Sequence, residues 1–129
     1  LKWSDDSTEF WGHISAGPSP ITFYTIKMPA GQITTYDASR LHIPEEYDLN
    51  MDSRKIVYSD YPQLYIVDDA EEFAKSQQQV TLFVYDFRTQ ERQAIATAVA
   101  SCFDPKWLDD DTVEYNNPDG DNRITYIVK

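Results

Sequence analysis

The sequence has 129 residues, which suits one domain with a hydrophobic core and is too short for two ordinary domains. Eleven basic and 22 acidic residues give a formal net charge of −11, which argues against binding to nucleic acid or to an anionic membrane surface, because both need a basic footprint. A single cysteine excludes an intrachain disulfide, and no apolar run approaches the roughly 18 residues of a membrane span.

Short runs of β-branched and aromatic residues, separated by Asp, Asn, Pro and Gly, predict an all-β chain with at most one short helix. The segment Asp68 to Gln77 favours that helix, since Asp can cap it and Glu lies in its first turn, although a polar excursion between strands fits as well. The turn-rich stretch 116–122 predicts a hairpin between the last two strands. In chain order, the predicted strands are 21–26, 33–36, 55–59, 64–67, 80–87, 93–99, 112–115 and 124–128.

An internal repeat runs through the chain. Residues 1–11 align without gaps to residues 105–115, with identical Lys, Trp, Asp, Asp and Thr, and Ile21-Thr22-Phe23 matches Ile124-Thr125-Tyr126. A weaker middle copy places Tyr58-Ser59-Asp60 under Trp3-Ser4-Asp5. The residues that the alignment treats as structurally equivalent are Trp3, Asp5, Tyr58, Asp60, Trp107 and Asp109.

The repeat divides the chain into units of about 50 residues, approximately 1–54, 55–104 and 105–129, each read as a four-stranded antiparallel meander. Residues 1–129 thus form a single β-rich domain or a propeller fragment of about two and a half blades. A β-sandwich with polar turns is the alternative architecture, because it also spaces short strands regularly.

Two short motifs resemble a known family. The turn Trp3-Ser4-Asp5-Asp6 is similar to the Trp-Ser-Pro-Asp-Gly turn of TolB-like, WD-repeat-type β-propellers, and the run from Phe83 to Arg92 resembles the strand and turn that enter their outer strand. This chain departs from the pattern, since Asp stands where Pro is usual and neither turn carries Gly. The resemblance implies propeller blades that serve as a binding scaffold, or as the non-catalytic domain that controls access in some peptidases, and a periplasmic or extracellular location.

Candidate binding residues come from the aromatics and histidines. Trp11 and Tyr61 lie beside turns and His13 follows Trp11 closely, so these three are the predicted ligand or partner contacts. Trp3 and Trp107 are expected to pack between units as core, because they recur at equivalent positions.

The sequence predicts no catalytic residue, no metal and no cofactor. Two His and one Cys fall short of an ordinary zinc set. The acidic stretches 109–111 and 117–122 are typical of solvated turns, with a calcium ion as the alternative. An unreactive, buried Cys102 thiol is expected, with a Cys102–His13 nucleophilic pair as the alternative.

The sequence therefore favours a non-enzymatic binding or scaffold module of propeller type. Its partner is expected to be a protein or peptide, or further copies of itself that complete a ring, since open sheet edges invite pairing. The alternative is a carbohydrate-binding or carbohydrate-cleaving β domain that uses exposed aromatics.

Overall fold

A computed structural model describes residues 2–4, 6–16, 19–44, 46–62 and 67–128. These residues form antiparallel β-strands, one α-helix and a single 3₁₀ turn at Ser39–Leu41. The chain is therefore all-β with one short helix, as the spacing of its apolar runs predicts.

The first sheet is a meander whose four strands pair in chain order. Because side chains alternate along a strand, Trp11 and His13 lie on one face of the sheet, while Phe10 and Gly12 lie on the other. The strands are β1 (Lys2–Trp3), β2 (Glu9–Ala16), β3 (Ser19–Lys27) and β4 (Gln32–Asp37).

The second sheet is also a four-stranded meander, with helix α1 (Val67–Ser76) between its second and third strands. The predicted helix is confirmed. The strand predicted at 64–67 is wrong at Val67, which begins the helix, and its other residues lie outside the described part of the chain. The strands are β5 (Tyr47–Asn50), β6 (Lys55–Ser59), β7 (Gln79–Asp86) and β8 (Glu91–Val99).

The third sheet has three strands, β9 (Lys106–Trp107), β10 (Thr112–Asn116) and β11 (Arg123–Ile127). The predicted hairpin between β10 and β11 is confirmed, and their ladder runs without a bulge from one end of β10 to the other.

The three sheets stack in chain order, so that the second sheet is covered on both faces. Strand β6 shows this directly: Ile56 and Tyr58 enter the cluster that joins the first and second sheets, whereas Val57 enters the cluster that joins the second and third. A strand buried on both faces reads as a continuous apolar run, which explains why Ile56-Val57-Tyr58 lacks polar alternation.

The two Lys-Trp strands are equivalent, but their turns differ in length. Trp3 pairs with Phe10, seven residues on (10 − 3), whereas Trp107 pairs with Val113, six residues on (113 − 107). The ungapped alignment is therefore wrong by one residue inside the turn.

A second mismatch follows in the next strand. Phe10 pairs with Ile26 and Val113 pairs with Tyr126, so Ile26 corresponds to Tyr126. The expected match of Ile21 with Ile124 is therefore displaced by three residues (124 − 21 against 126 − 26).

The shorter turn also changes which aspartates correspond. Asp6 Oδ1 accepts a hydrogen bond from the Thr8 backbone N–H at 3.0 Å, and Asp109 Oδ1 accepts bonds from the backbone N–H groups of Asp111 at 2.9 Å and Thr112 at 2.7 Å. Asp109 thus accepts backbone bonds in its turn as predicted, and its counterpart is Asp6. Asp5, which the sequence alignment placed there, lies outside the described residues.

The middle copy was assigned to the wrong segment. Tyr58 and Asp60 lie at and just after the end of β6, where Asp60 Oδ1 accepts the Thr81 N–H at 2.8 Å. The turn that corresponds to those of Asp6 and Asp109 follows β5, where Asn50 Oδ1 accepts two backbone N–H groups at 3.1 Å. Because β5 pairs with β6, the strand at Tyr47–Asn50 belongs to the second sheet.

The two tryptophans that were expected in the core differ in burial. Trp107 is partly buried, and it donates its backbone N–H to Asp48 Oδ2 at 2.8 Å and its indole Nε1–H to the Asp48 carbonyl at 3.0 Å. Trp3 is 54% exposed, so its assignment to the core is wrong.

Candidate functional site

A small pocket opens between the first two sheets. Its volume is about 140 Å³, and it lies where β2 and β3 of the first sheet face β5 of the second. The residues that line it are Trp11, Gly12, His13, Phe23, Tyr47, Asp48 and Leu49.

Strand register brings three rings together at the rim of this pocket. His13 on β2 is the direct cross-strand partner of Phe23 on β3, and their ring centroids are 6.1 Å apart. Tyr47 on β5 packs edge-on against both rings, with its centroid 6.4 Å from His13 and 5.9 Å from Phe23. His13 is exposed and Phe23 is buried, so the imidazole lies at the opening of a ring-lined cavity.

Trp11 is held in the wall of the pocket by contacts with two neighbouring side chains. Its ring stacks on Tyr36 with 5.8 Å between centroids, and the guanidinium of Arg54 lies 4.9 Å from its centroid. Arg54 in turn forms an ion pair with Glu9, in which Nη2 donates to both carboxylate oxygens, at 2.6 and 2.9 Å. This pair and the cation–π contact join the first sheet to the turn after β5.

The chemistry of the pocket is that of an anchor for one side chain. Pockets that enclose a whole small molecule usually measure about 300–1,000 Å³, so a cavity of this size accommodates roughly one apolar side chain. Among its lining residues, the Asp48 carboxylate already accepts the Trp107 N–H. Among the described residues that line the pocket, none is a serine or a cysteine.

A second polar cluster surrounds Glu46. Its carboxylate accepts hydrogen bonds from Ser59 Oγ at 2.7 Å, from Cys102 Sγ at 2.7 Å and from the Phe103 N–H at 3.2 Å. Partial burial raises the pKa of the Cys102 thiol to about 12, and the adjacent Glu46 adds to the rise. The thiol is therefore protonated at neutral pH and is a poor nucleophile.

Two expectations about Cys102 are revised by this geometry. The residue as a whole is exposed, although it was expected to be buried. Its sulfur bonds to Glu46, whereas the alternative pairing required His13 as its base.

A third feature is an acidic groove between the turns that follow β5 and β9. Its volume is about 270 Å³, and Asn50 Nδ2 crosses it to donate to the Asp109 carbonyl at 3.1 Å. Within the described residues, no group of three or more His, Cys, Asp or Glu side chains is arranged to bind a metal ion. Its carboxylates are Asp48, Asp52, Asp109 and Asp110.

The three predicted contact residues differ in position and burial in the structure. His13 lies at the pocket rim, so its candidacy stands. Trp11 is only 1% exposed, which contradicts a role as a surface platform and places its ring in the pocket wall. Tyr61 packs its ring against Phe73 of α1, 5.3 Å away, and does not line the pocket.

The pocket lining also includes three residues that the sequence did not indicate as candidates, Tyr47, Asp48 and Leu49. Their run is short and precedes the polar turn 51–54, just as Lys2-Trp3 and Lys106-Trp107 precede theirs. Aligning the three turns by their side-chain acceptors would have found this strand.

Comparisons of the chain with family models, with curated proteins and with solved structures find no match. Among the described residues, no helix is long and apolar enough to cross a membrane.

Proposed function

We propose that this protein is a non-enzymatic binding module of β-propeller type, which takes a protein or peptide segment by inserting one apolar side chain into the pocket between its first two sheets. The observation that carries this proposal is the pocket itself, a cavity of about 140 Å³ walled by rings that are already fixed by other contacts. A wall that does not rearrange on binding reduces the entropic cost of association.

The order of the sheets supports the propeller part of the proposal. Consecutive meanders stack face to face, and the first strands of the second and third sheets lie side by side: Trp107 on β9 donates two hydrogen bonds to Asp48 on β5. Radial repetition of four-stranded meanders is the arrangement of propeller blades. The resemblance to TolB-like blades is consistent with this order.

The negative charge of the protein favours a partner in which basic residues flank the inserted apolar side chain. The chain carries a net charge of −11, and the acidic groove shares Asp48 and Leu49 with the pocket. A negative surface beside an apolar anchor site attracts Lys and Arg, chiefly by raising the association rate.

The test is a titration of the ¹⁵N-labelled protein with N-acetyl amides of Leu, Phe and Trp, with the Lys amide and cellobiose as comparators. We expect saturable shifts of the amide signals of Gly12, His13 and Tyr47–Leu49 with an apolar amide. Cellobiose shifts at these signals, or at Trp3, without any response to the amides would overturn the proposal in favour of the carbohydrate alternative.

Two variants locate the site. Leu49→Trp fills the cavity and should abolish the shifts, while Val99→Trp adds the same ring at an exposed position on β8 and should leave them unchanged. His13→Ala changes an exposed residue, so it keeps the fold testable if Leu49→Trp is unstable. We expect it to weaken binding several-fold, and full binding by both pocket variants would contradict the assignment.

A further inference from the structure

The outer face of the first sheet carries an apolar row across all of its strands. Cross-strand pairing places Trp3 beside Phe10, Phe10 beside Ile26 and Ile26 beside Ile33. The two ends of the row are open to solvent, since Trp3 is 54% and Ile33 is 63% exposed. A contiguous apolar patch of this kind on a soluble domain marks an interaction surface.

The next row along the strands extends this patch. Gly12 pairs with Tyr24, whose phenol ring lies directly over the glycine: a Cβ built at position 12 would approach the Tyr24 ring to 2.4 Å. Tyr24 pairs in turn with Thr35. Because glycine has no side chain, the Tyr24 ring can pack directly against the backbone at position 12.

The corresponding faces of the other two sheets are packing faces. Trp107 and Val113 are paired as Trp3 and Phe10 are, and their face packs against the second sheet. The second sheet presents Ile56 and Tyr58 to the first in the same way. Of these three corresponding faces, the one that carries Trp3 is without a cover among the described residues.

The distribution of charge favours the same face of a second copy as the surface that covers this one. The two rows that run from Trp3 to Ile33 and from Gly12 to Thr35 contain no charged residue, in a molecule whose net charge is −11. The outer face of the third sheet is different, because Arg123 there contacts Glu114 at 3.3 Å and Asp104 at 3.6 Å. Head-to-tail stacking would place the apolar row against these ion pairs and desolvate them at a cost.

We propose that two copies of this chain associate back to back through the outer faces of their first sheets, related by a two-fold axis. An axis along the strands, between β2 and β3, sets Trp3 against Ile33 of the partner subunit, so a large side chain meets a small one at both ends of the row. Self-complementary contact of this kind is what a closed two-fold interface requires. The pocket opens on the opposite face of the first sheet, and its lining shares only Gly12 with the two rows described above, so this inference does not depend on the proposed function.

The size of the face sets the expected affinity. Three strands with six residues each, together with the two-residue β1, give a footprint of roughly 300 Å² per copy at a strand spacing of about 4.8 Å and a rise of about 3.3 Å per residue. Interfaces of this size lie at the weak, reversible end of specific association. We therefore expect a dimer that dissociates in the micromolar range.

The test is sedimentation velocity of the whole chain from about 1 to 500 μM, with a matched pair of variants. Ile33→Lys and Ile127→Lys each add one positive charge at an exposed strand isoleucine, 63% and 67% exposed, on the outer faces of the first and third sheets respectively. We expect the unmodified chain to shift from 14.9 kDa to twice that mass, Ile33→Lys to weaken the dimer at least tenfold, and Ile127→Lys to leave it unchanged.

Three outcomes would overturn the inference: a monomer at every concentration, equal weakening by both variants, or masses that grow beyond the dimer as head-to-tail stacking predicts. The amide titration reads the pocket separately in the same samples. A failure of dimerisation therefore leaves the binding proposal standing, and the reverse also holds.

Discussion

The surroundings of Trp3 and of Trp107 present the same local structure with different outcomes. Both tryptophans follow a lysine in a two-residue strand, and both precede a turn closed by an aspartate. Trp107 nevertheless packs against the second sheet and bonds twice to Asp48, while more than half of Trp3 is exposed.

The difference teaches that burial here is decided by the neighbouring sheet and not by the strand itself. Local sequence determines which face a side chain occupies, because alternation along a strand is fixed. Whether that face is covered depends on a sheet encoded about 50 residues away. The same substitution made at Trp3 and at Trp107 should therefore change stability by different amounts, because the surroundings of the two rings differ.

The largest difference in the free energy of unfolding is expected when each ring is truncated to alanine. Trp107→Ala should lower the free energy of unfolding by about 3 kcal/mol, the low end for a core tryptophan because this one is only partly buried. Trp3→Ala should cost less than about 0.5 kcal/mol at concentrations where the chain is monomeric. Urea unfolding followed by circular dichroism measures both, and equal losses would break the comparison.

A smaller effect is expected from the side chain that accepts the Trp107 N–H. Asp48→Ala removes the carboxylate that accepts the Trp107 N–H at 2.8 Å, which should destabilise the chain by about 1–2 kcal/mol because a partly buried donor loses its partner. Asp110→Ala, an exposed neighbour in the adjoining turn, serves as the control and should change little. If the two variants unfold together, the bond contributes nothing to the difference between the tryptophans.

The smallest effect is expected from the aspartate that each of the two turns contains, Asp6 in one and Asp109 in the other. Hydrogen bonds from Thr8 and Ser4 lower the pKa of Asp6 to about 2, and bonds from Asp111 and Thr112 lower the pKa of Asp109. Both pKa values lie below the unfolded value of about 3.9, so this stabilisation is fully present above that pH and is lost as the pH falls through the lowered pKa of each carboxyl.

Melting temperature measured against pH tests this equivalence. Asp6→Asn and Asp109→Asn should each make the acid-side loss of stability shallower while changing little at pH 7, because Asn still accepts the backbone bonds. An unchanged acid profile in one variant alone would show that the two turns are not equivalent.

Much of the fold could be predicted from the sequence, because it depends on local pattern. The runs of Val, Ile, Tyr and Thr indicated the strands, and the Asp-rich start of α1 indicated the helix. The repeated Lys-Trp-x-Asp pattern indicated consecutive meanders, yet its register was wrong because a one-residue difference inside a turn leaves no trace in an ungapped match.

The candidate site was predictable only in part. Trp3 was expected inside and Trp11 outside, and the structure reverses both. Alternation places the two rings on opposite faces of the first sheet, but no local signal shows that the face of Trp11 is the covered one. His13 was found by its residue type, whereas its neighbour Tyr47 belongs to a strand that the repeat alignment had assigned to the wrong unit.

The two covered faces of β6 have a consequence for how the molecule opens. Its backbone is hydrogen-bonded by β5 on one edge and β7 on the other, and Ile56, Val57 and Tyr58 are almost completely inaccessible. Exposing these amides requires the loss of β5 or β7 together with the packing on both faces of β6, so we expect their hydrogen exchange to be among the slowest in the molecule. The edge strands of the three sheets, each bonded on one side only, should exchange earlier.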